Sequence, residues 1–214
     1  MSKANKSNKA IKYRLYPNDE QKVMFAKTFG CCRFVYNQLL ALQKQRYKDG
    51  ESHLSKLKSN EFATRTLKKD YDFLKEIDKF AVSNAVFHLA DAYDRFFKKQ
   101  NHFPKFKSKR KSKKSYTINF TNNNILIGKN VIKLPKVGMV KAVIHKLPKD
   151  DWKLKSVTVS QDSVGNYFAS VLFEYEQEDI PSVSKSSTNA IGLDYKSDGL
   201  YIDSNGNKAG VHKY

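Results

Sequence analysis

In the run Ile11-Lys12-Tyr13-Arg14-Leu15-Tyr16, the apolar Ile11, Tyr13 and Leu15 alternate with basic Lys12 and Arg14. No comparable alternation follows until Tyr116. A period of two marks a strand with one buried face and one solvated or phosphate-facing face. A strand without a partner leaves its backbone groups unpaired, so this one is expected to join the sheet encoded by the later sequence. The intervening residues then form a helical insertion between strands.

Pro17 stops the strand, and Asn18 stands three residues before Gln21 as a cap and partial capping box. Val23, Phe25 and Ala26 begin one apolar helical stripe. Phe34, Val35, Leu39 and Leu42 carry another, with Gly30 expected as a break between them and Lys48-Asp49-Gly50 as the end of the hairpin. A shorter helix is expected from Glu61 to Lys69, capped by Ser59 or Asn60. A further one at 79–99 places Val82, Val86, Leu89, Tyr93 and Phe96-Phe97 at three- and four-residue steps.

The segment Lys98–Lys114 reads KKQNHFPKFKSKRKSKK and holds nine basic residues: Lys98, Lys99, Lys105, Lys107, Lys109, Arg110, Lys111, Lys113 and Lys114. It contains no acid, and Pro104 ends any helix there. Phe103 and Phe106 interleave with the cations, which suits nucleotide stacking as well as simple packing. The whole chain carries 40 Lys and Arg against 21 acids, a formal charge of +19. Such a field calls for a polyanion, and charge alone fits DNA, RNA, a ribosomal particle or an anionic membrane.

After Ser115 the pattern is that of short strands: Tyr116–Phe120, Val131–Leu134, Met139–Ile144, Leu154–Ser160 and Tyr167–Tyr175. Asn122-Asn123-Asn124, Pro135, Gly138, Pro148 and the Asp162–Asn166 turn separate them. This spacing predicts a small antiparallel barrel or curled sheet. An acidic patch (Glu174, Glu176, Glu178, Asp179) and a linker follow, and a new unit starts at Ala190. Ile191-Gly192-Leu193-Asp194 and Gly199–Asp203 read as a β-hairpin, with Ser204–Asn207 as turn residues. Asp194 there is either a turn-capping acid or a carboxylate aimed at a metal.

Cys31 and Cys32 are adjacent and read as small core residues. None of His53, His88, His102, His145 and His212 has metal-ligand spacing, and His88 reads as a surface pair with Asp91. No Ser-His-Asp set, P-loop or dinucleotide fingerprint is visible. No segment has the length of a membrane span or a signal core, so a cytoplasmic, nucleoid-associated protein is expected, without a membrane or small-molecule partner.

Five ordered motifs carry a family resemblance: Tyr16-Pro17, Gly30–Asn37, Phe103–Lys107, Lys133–Gly138 and Ile191–Asp194. Together, over residues 10–214, they resemble TnpB, also called OrfB, a transposon-associated RNA-guided endonuclease once described as a transposase. The resemblance implies an α+β chain: a small antiparallel, wedge-like β-barrel interrupted by a helical recognition domain, then the first β-hairpin of an RNase H-like RuvC domain. On that basis residues 1–9 are a disordered basic arm, 10–17 plus 115–180 the barrel, 18–103 the helical domain, 104–114 a basic linker, 181–189 a second linker, and 190–214 the start of RuvC.

The resemblance makes Asp194 the first RuvC carboxylate and a Mg²⁺ ligand. Such sites use two ions about 4 Å apart to activate water and stabilise the leaving oxygen. The family's further Glu, further Asp and zinc module lie beyond Tyr214, so the expectation is an amino-terminal portion, inactive alone, with zinc only in the missing part. Asp198 and Asp203 read as turn and surface acids, and Lys196 stands where many members have Gly. The expected partners are target DNA and a guide RNA from the transposon end. The residues expected to touch them are Arg14, Arg33, Tyr36, Asn37, Phe103, Lys105, Phe106, Lys107, Lys109, Arg110, Lys111, Lys113 and Lys114. Tyr36 fits core packing equally well. The rival readings are a nuclease-dead guided regulator, a decayed transposase remnant and a ribosome-associated basic protein.

Overall fold

A computed structural model describes residues 6–176, 191–195 and 199–210. The chain divides into two compact units, Met1–Gln177 and Glu178–Tyr214. In the first, β1 (Lys6–Tyr16) leads into the helices α1 (Asp19–Lys48), α2 (Lys56–Glu61), α3 (Lys68–Asp70) and α4 (Lys79–Phe97). Six strands follow: β2 (Lys114–Asn119), β3 (Leu126–Ile127), β4 (Val131–Leu134), β5 (Gly138–Val143), β6 (Lys153–Gln161) and β7 (Tyr167–Glu176). The class is α+β.

These strands make one antiparallel sheet in the order β2-β6-β7-β1-β5-β4-β3. β1 is its middle strand: Lys6–Leu15 run in register against β7, and Arg14–Tyr16 also pair with β5. The early alternation thus has its partners in the later sheet. It also begins sooner than its apolar pattern suggests. Lys6–Lys9, expected in a disordered arm, pair with Phe173–Glu176, because backbone bonds to β7 need no apolar side chain. Residues 1–5 lie outside the described residues.

The sheet is open, which corrects the expected closed barrel. Among the described residues β2 and β3 are its two edges and do not pair with each other. β3 has two residues, too few for a closing ladder. The β2 edge is covered instead by α4, whose Asn84 side chain donates to the Thr117 carbonyl at 3.0 Å and to Asn119 Oδ1 at 3.2 Å. A helix laid on an edge strand removes the free pairing groups as a barrel would.

α1 starts as expected, with a complete capping box: Asn18 Oδ1 accepts from Gln21 N at 2.8 Å and Asn18 N donates to Gln21 Oε1 at 3.1 Å. It does not break at Gly30 but runs 30 residues without interruption. Glycine costs a helix roughly 1 kcal/mol, and the flanking turns outweigh that by burying Phe25, Phe29, Cys32, Val35 and Leu39. The following helical run starts at Lys56 rather than Glu61. Its cap is Ser55, whose hydroxyl accepts from Lys58 N, while Ser59, expected as a cap, is buried. It passes through a π-helical turn at Phe62–Leu67 and ends with α3. Asp78 caps α4.

One apolar core joins sheet and helices. Tyr13, Leu15, Val159, Val171 and Phe173 face it from the strands, and Phe25, Leu39, Leu40, Val82 and Leu89 from the helices. Phe25 lies against Tyr167 with ring centroids 5.4 Å apart, and Phe29 against Tyr116 at 5.6 Å. Gln21 Nε2 donates to the Met139 carbonyl at 2.8 Å, fixing the start of α1 on β5.

The second unit is a three-stranded antiparallel sheet of β8 (Leu193–Tyr195), β9 (Tyr201–Asp203) and β10 (Lys208–Ala209). The expected hairpin therefore has a third strand, which the Ser204–Asn207 turn joins to β9. The second linker at 181–189 lies outside the described residues, as do Glu178, Asp179 and Asp198.

Candidate nucleic-acid interface

The chain between α4 and β2 has no regular structure, so where its backbone is fixed, side chains or turns must hold it. Asn37 on α1 supplies this. Its Nδ2 donates to the Lys107 carbonyl at 2.9 Å and its Oδ1 accepts from Lys107 N at 2.8 Å. This two-point clamp fixes the middle of the basic segment against α1. Beyond it Ser108 closes a turn: Ser108 N donates to Ser112 Oγ at 2.9 Å, and Ser108 Oγ accepts from Lys111 N at 3.0 Å. Lys109, Arg110 and Lys111 stand exposed on that turn.

α1 also gives the cations aromatic partners. Lys107 Nζ lies 4.0 Å from the Tyr36 ring centroid, and Lys44 Nζ lies 4.7 Å from that of Phe106 and 5.5 Å from that of Phe103. Tyr36 is buried, and burial raises its pKa. Arg33, His88, Lys107, Lys113 and Lys114 line a cavity of about 30 Å³ between α1, α4 and β2. Burial pushes the Lys107 pKa down, with Cys32 acting weakly the other way. His88 keeps part of its ring in solvent, and burial of the rest, then Lys107, push its pKa down.

The ion pairs of the helical region do not extend into this segment. Lys27, Arg46, Lys56, Arg65 and Lys75 pair with acids within the helical region. Among the described residues, none of the nine cations from Lys98 to Lys114 does; Lys114 instead bonds Gln161 Oε1 at 2.9 Å. Unpaired cations held on a fixed backbone form a positive surface suited to phosphate.

The structure thus brings together Arg33, Tyr36, Asn37, Phe106, Lys107, Lys113 and Lys114, with Lys109–Lys111 on the adjoining turn. Phe103 faces a separate cavity and Lys105 is exposed. Arg14 belongs to another group, on the outer face of the sheet. Its guanidinium bonds the Asn166 side chain and lies 5.1 Å from the Phe168 centroid, where Lys12 Nζ also sits at 4.2 Å. Lys44, Phe168 and His88 join these groups although no sequence motif marks them as interface residues. Lys44 lies seven residues after Asn37 on the same helical face, a readable signal. His88 does not have Asp91 to itself, as its spacing suggests, because Asp91 pairs with Lys56 at 3.4 Å.

Cys31 and Cys32 are free and buried, and burial pushes their thiols up to about 11 and about 12. Both are packing residues. No described helix is long and apolar enough to cross a membrane.

Asp194 is exposed on β8. It pairs across the strands with Ile202, while Asp203 pairs with Leu193. Side chains alternate faces, so the two carboxylates point to opposite sides. Asp203 is further committed to its own turn, accepting from Asn207 Nδ2, Asn207 N and Asn205 N at 2.8–2.9 Å, and these bonds hold its pKa below the ordinary value. Among the described residues no three acids, histidines or cysteines gather to hold a metal. The donors among the described residues do not by themselves complete a two-ion site.

Residues 7–52 match the OrfB helix-turn-helix domain family. In this chain they fold as β1 and one uninterrupted helix. A protein of Streptomyces pristinaespiralis named "Putative RNA-guided DNA endonuclease" is 30% identical over 202 residues, covering 94% of this chain and 49% of that protein. A protein of Escherichia coli (strain K12) with the same name and the suffix InsQ is 27% identical over 196 residues, 86% of this chain and 44% of that protein. Virulence protein VsdF of Salmonella dublin is 32% identical over 111 residues, 47% of this chain and 93% of that protein. The chain spans about half the length of the first two relatives.

Proposed function

Since the chain belongs to the TnpB/OrfB family, we propose that it is the nucleic-acid-gripping portion of a transposon-associated, RNA-guided DNA endonuclease. The observation that carries this is the run of unpaired cations pinned to α1 by Asn37. In guided recognition the sequence is read by base pairing, and the protein holds backbone through positive surfaces. Arg33, Lys107, Lys109, Arg110, Lys111, Lys113 and Lys114 take phosphates. Tyr36 and Asn37 position the segment, and Phe106 with Lys44 gives a mixed cationic and aromatic contact. The open sheet with its inserted helices corresponds to the family's wedge and recognition domains, and β8–β10 to the start of RuvC. Asp194 is one metal-binding carboxylate there. Its described surroundings do not complete a two-ion site, so no hydrolytic step is assigned to them.

The test is the salt dependence of binding. Neutralising Lys109, Arg110, Lys111, Lys113 and Lys114 together to Gln should flatten log K against log salt by roughly 0.9 for each duplex-DNA phosphate that these side chains neutralise in the parent. An unchanged slope, read by fluorescence anisotropy, removes the segment from the interface. Sequencing RNA that co-purifies with the chain tests the guide: element-derived RNA is expected, and ribosomal RNA would favour a ribosome-associated protein.

A further inference from the structure

Where the C-terminal ends of α1 and α4 meet, the aromatic side chains do not close on one another. Tyr93, Phe96, Phe97, Phe103 and His53 wall a cavity of about 560 Å³. Its rings stand mostly edge-on. Phe96 meets Phe103 at 83°, Tyr93 meets Phe103 at 88° and His53 meets Phe97 at 88°, while Tyr93 and Phe97 lie nearly parallel at 22° with centroids 6.1 Å apart. The rings do not fill the space between them, and the exposed Phe97 is within reach of a planar guest. The size lies within the usual range of small-molecule sites, roughly 300–1,000 Å³. The walls are held in place. Gln43 on α1 clamps Leu54 through both ends of its amide, at 3.2 and 3.0 Å, and so fixes the neighbouring His53.

We propose that this cavity takes an unpaired nucleobase of a single nucleic-acid strand, with the flanking phosphates on Lys44 and Lys48. The inference rests on the nucleic-acid reading given above and adds a site of a different kind. Lys44 and Lys48 line the cavity, and Lys44 rests on the π faces of Phe103 and Phe106. The acid of the lining, Glu51, is neutralised by Arg46. An anionic ligand with a flat apolar body satisfies both the rings and the rim. A second copy of this chain, carrying +19, meets the same lysines with like charge. Burial pushes the His53 pKa down, so near neutral pH its ring is an uncharged wall. Bases in a duplex keep their faces stacked on each other, so the guest is a base outside a helix.

The experiment uses the whole chain and short oligonucleotides bearing a central 2-aminopurine, as DNA and as RNA, single-stranded or annealed. Single strands should bind with quenched 2-aminopurine fluorescence. Phe97→Ala, at a residue 63% exposed, should abolish the quench and weaken single-strand binding about 10-fold. Phe97→Trp should restore both, and duplex affinity should stay within about twofold. The sugar giving the tighter complex identifies the strand. The inference is overturned if Phe97→Ala quenches and binds single strands as the parent does while duplex binding persists. It is equally overturned if the substitution instead abolishes a concentration-dependent dimer seen by sedimentation. Failure of the parent chain to bind any strand, single or duplex, overturns the nucleic-acid reading as well.

Discussion

Asn37 and Lys107 are far apart in sequence yet share two hydrogen bonds. Asn37 is polar, half-buried and next to Tyr36, which carries the Lys107 ammonium on its ring. Its contribution to binding is therefore order, not charge. Asn37→Ala removes both bonds and takes the protein partner from part-buried backbone groups of Lys107, a cost of about 0.5–1.5 kcal/mol for each bond. Both bonds hold one stretch of irregular chain, so the effect should be largest there. Trypsin should cut within 105–114 several-fold faster than in the parent, and DNA affinity should fall while the salt slope stays the same, since every cation remains. A changed slope with unchanged proteolysis would mean that Asn37 itself meets the nucleic acid.

α1 shows what an element can conceal in its sequence. Gly30 carries the local signal of a break, and by spacing alone two helices are the natural reading; the matched family is itself described as helix-turn-helix. Yet the turns on either side bury a continuous stripe from Phe25 to Gln43, and burial of that length overrides one glycine. An added Cβ at Gly30 meets no atom within 4 Å beyond its chain neighbours and its own helix backbone. Gly30→Ala should therefore raise stability by roughly 0.5–1 kcal/mol through helix propensity, read as a higher urea midpoint at unchanged m. A loss of stability would show that the helix is broken there in solution. Other elements were legible because their signals are local: the Asn18–Gln21 box, the period of two in β1 and the turn residues Asn122 and Asn123, which adopt left-handed φ of 46° and 53°. β3 was not, since two residues carry no period. The open edge was not, since the amide of Asn84 that covers β2 is an ordinary polar residue on a helix. Of the candidate site, the cations and Phe106 could be read from composition. The aromatic cavity could not, because His53, Tyr93 and Phe103 come from three separate segments.

At the scale of the whole molecule, the position of β1 sets how the first unit unfolds. β1 is synthesised before every helix but sits between β5 and β7, which come after them all. The sheet cannot close its centre until the helical insertion has brought its ends together, so helices and strands are expected to form one cooperative unit rather than two. Tyr13 is where this can be tested. It is fully buried in the middle strand, and its hydroxyl donates to the Lys146 carbonyl at 2.7 Å. Tyr13→Ala should cost roughly 3–5 kcal/mol, the usual range for a large aromatic in a core. Trp152, stacked on Tyr175 at 5.2 Å and packed on Phe173, reports on the sheet by fluorescence. Far-ultraviolet circular dichroism reports on the helices. In the parent and in Tyr13→Ala the two transitions should coincide, both moving to lower denaturant in the variant. If the helices instead keep their midpoint while the Trp152 signal moves, the insertion folds by itself, and the link between its packing and the sheet lies elsewhere than in the shared core.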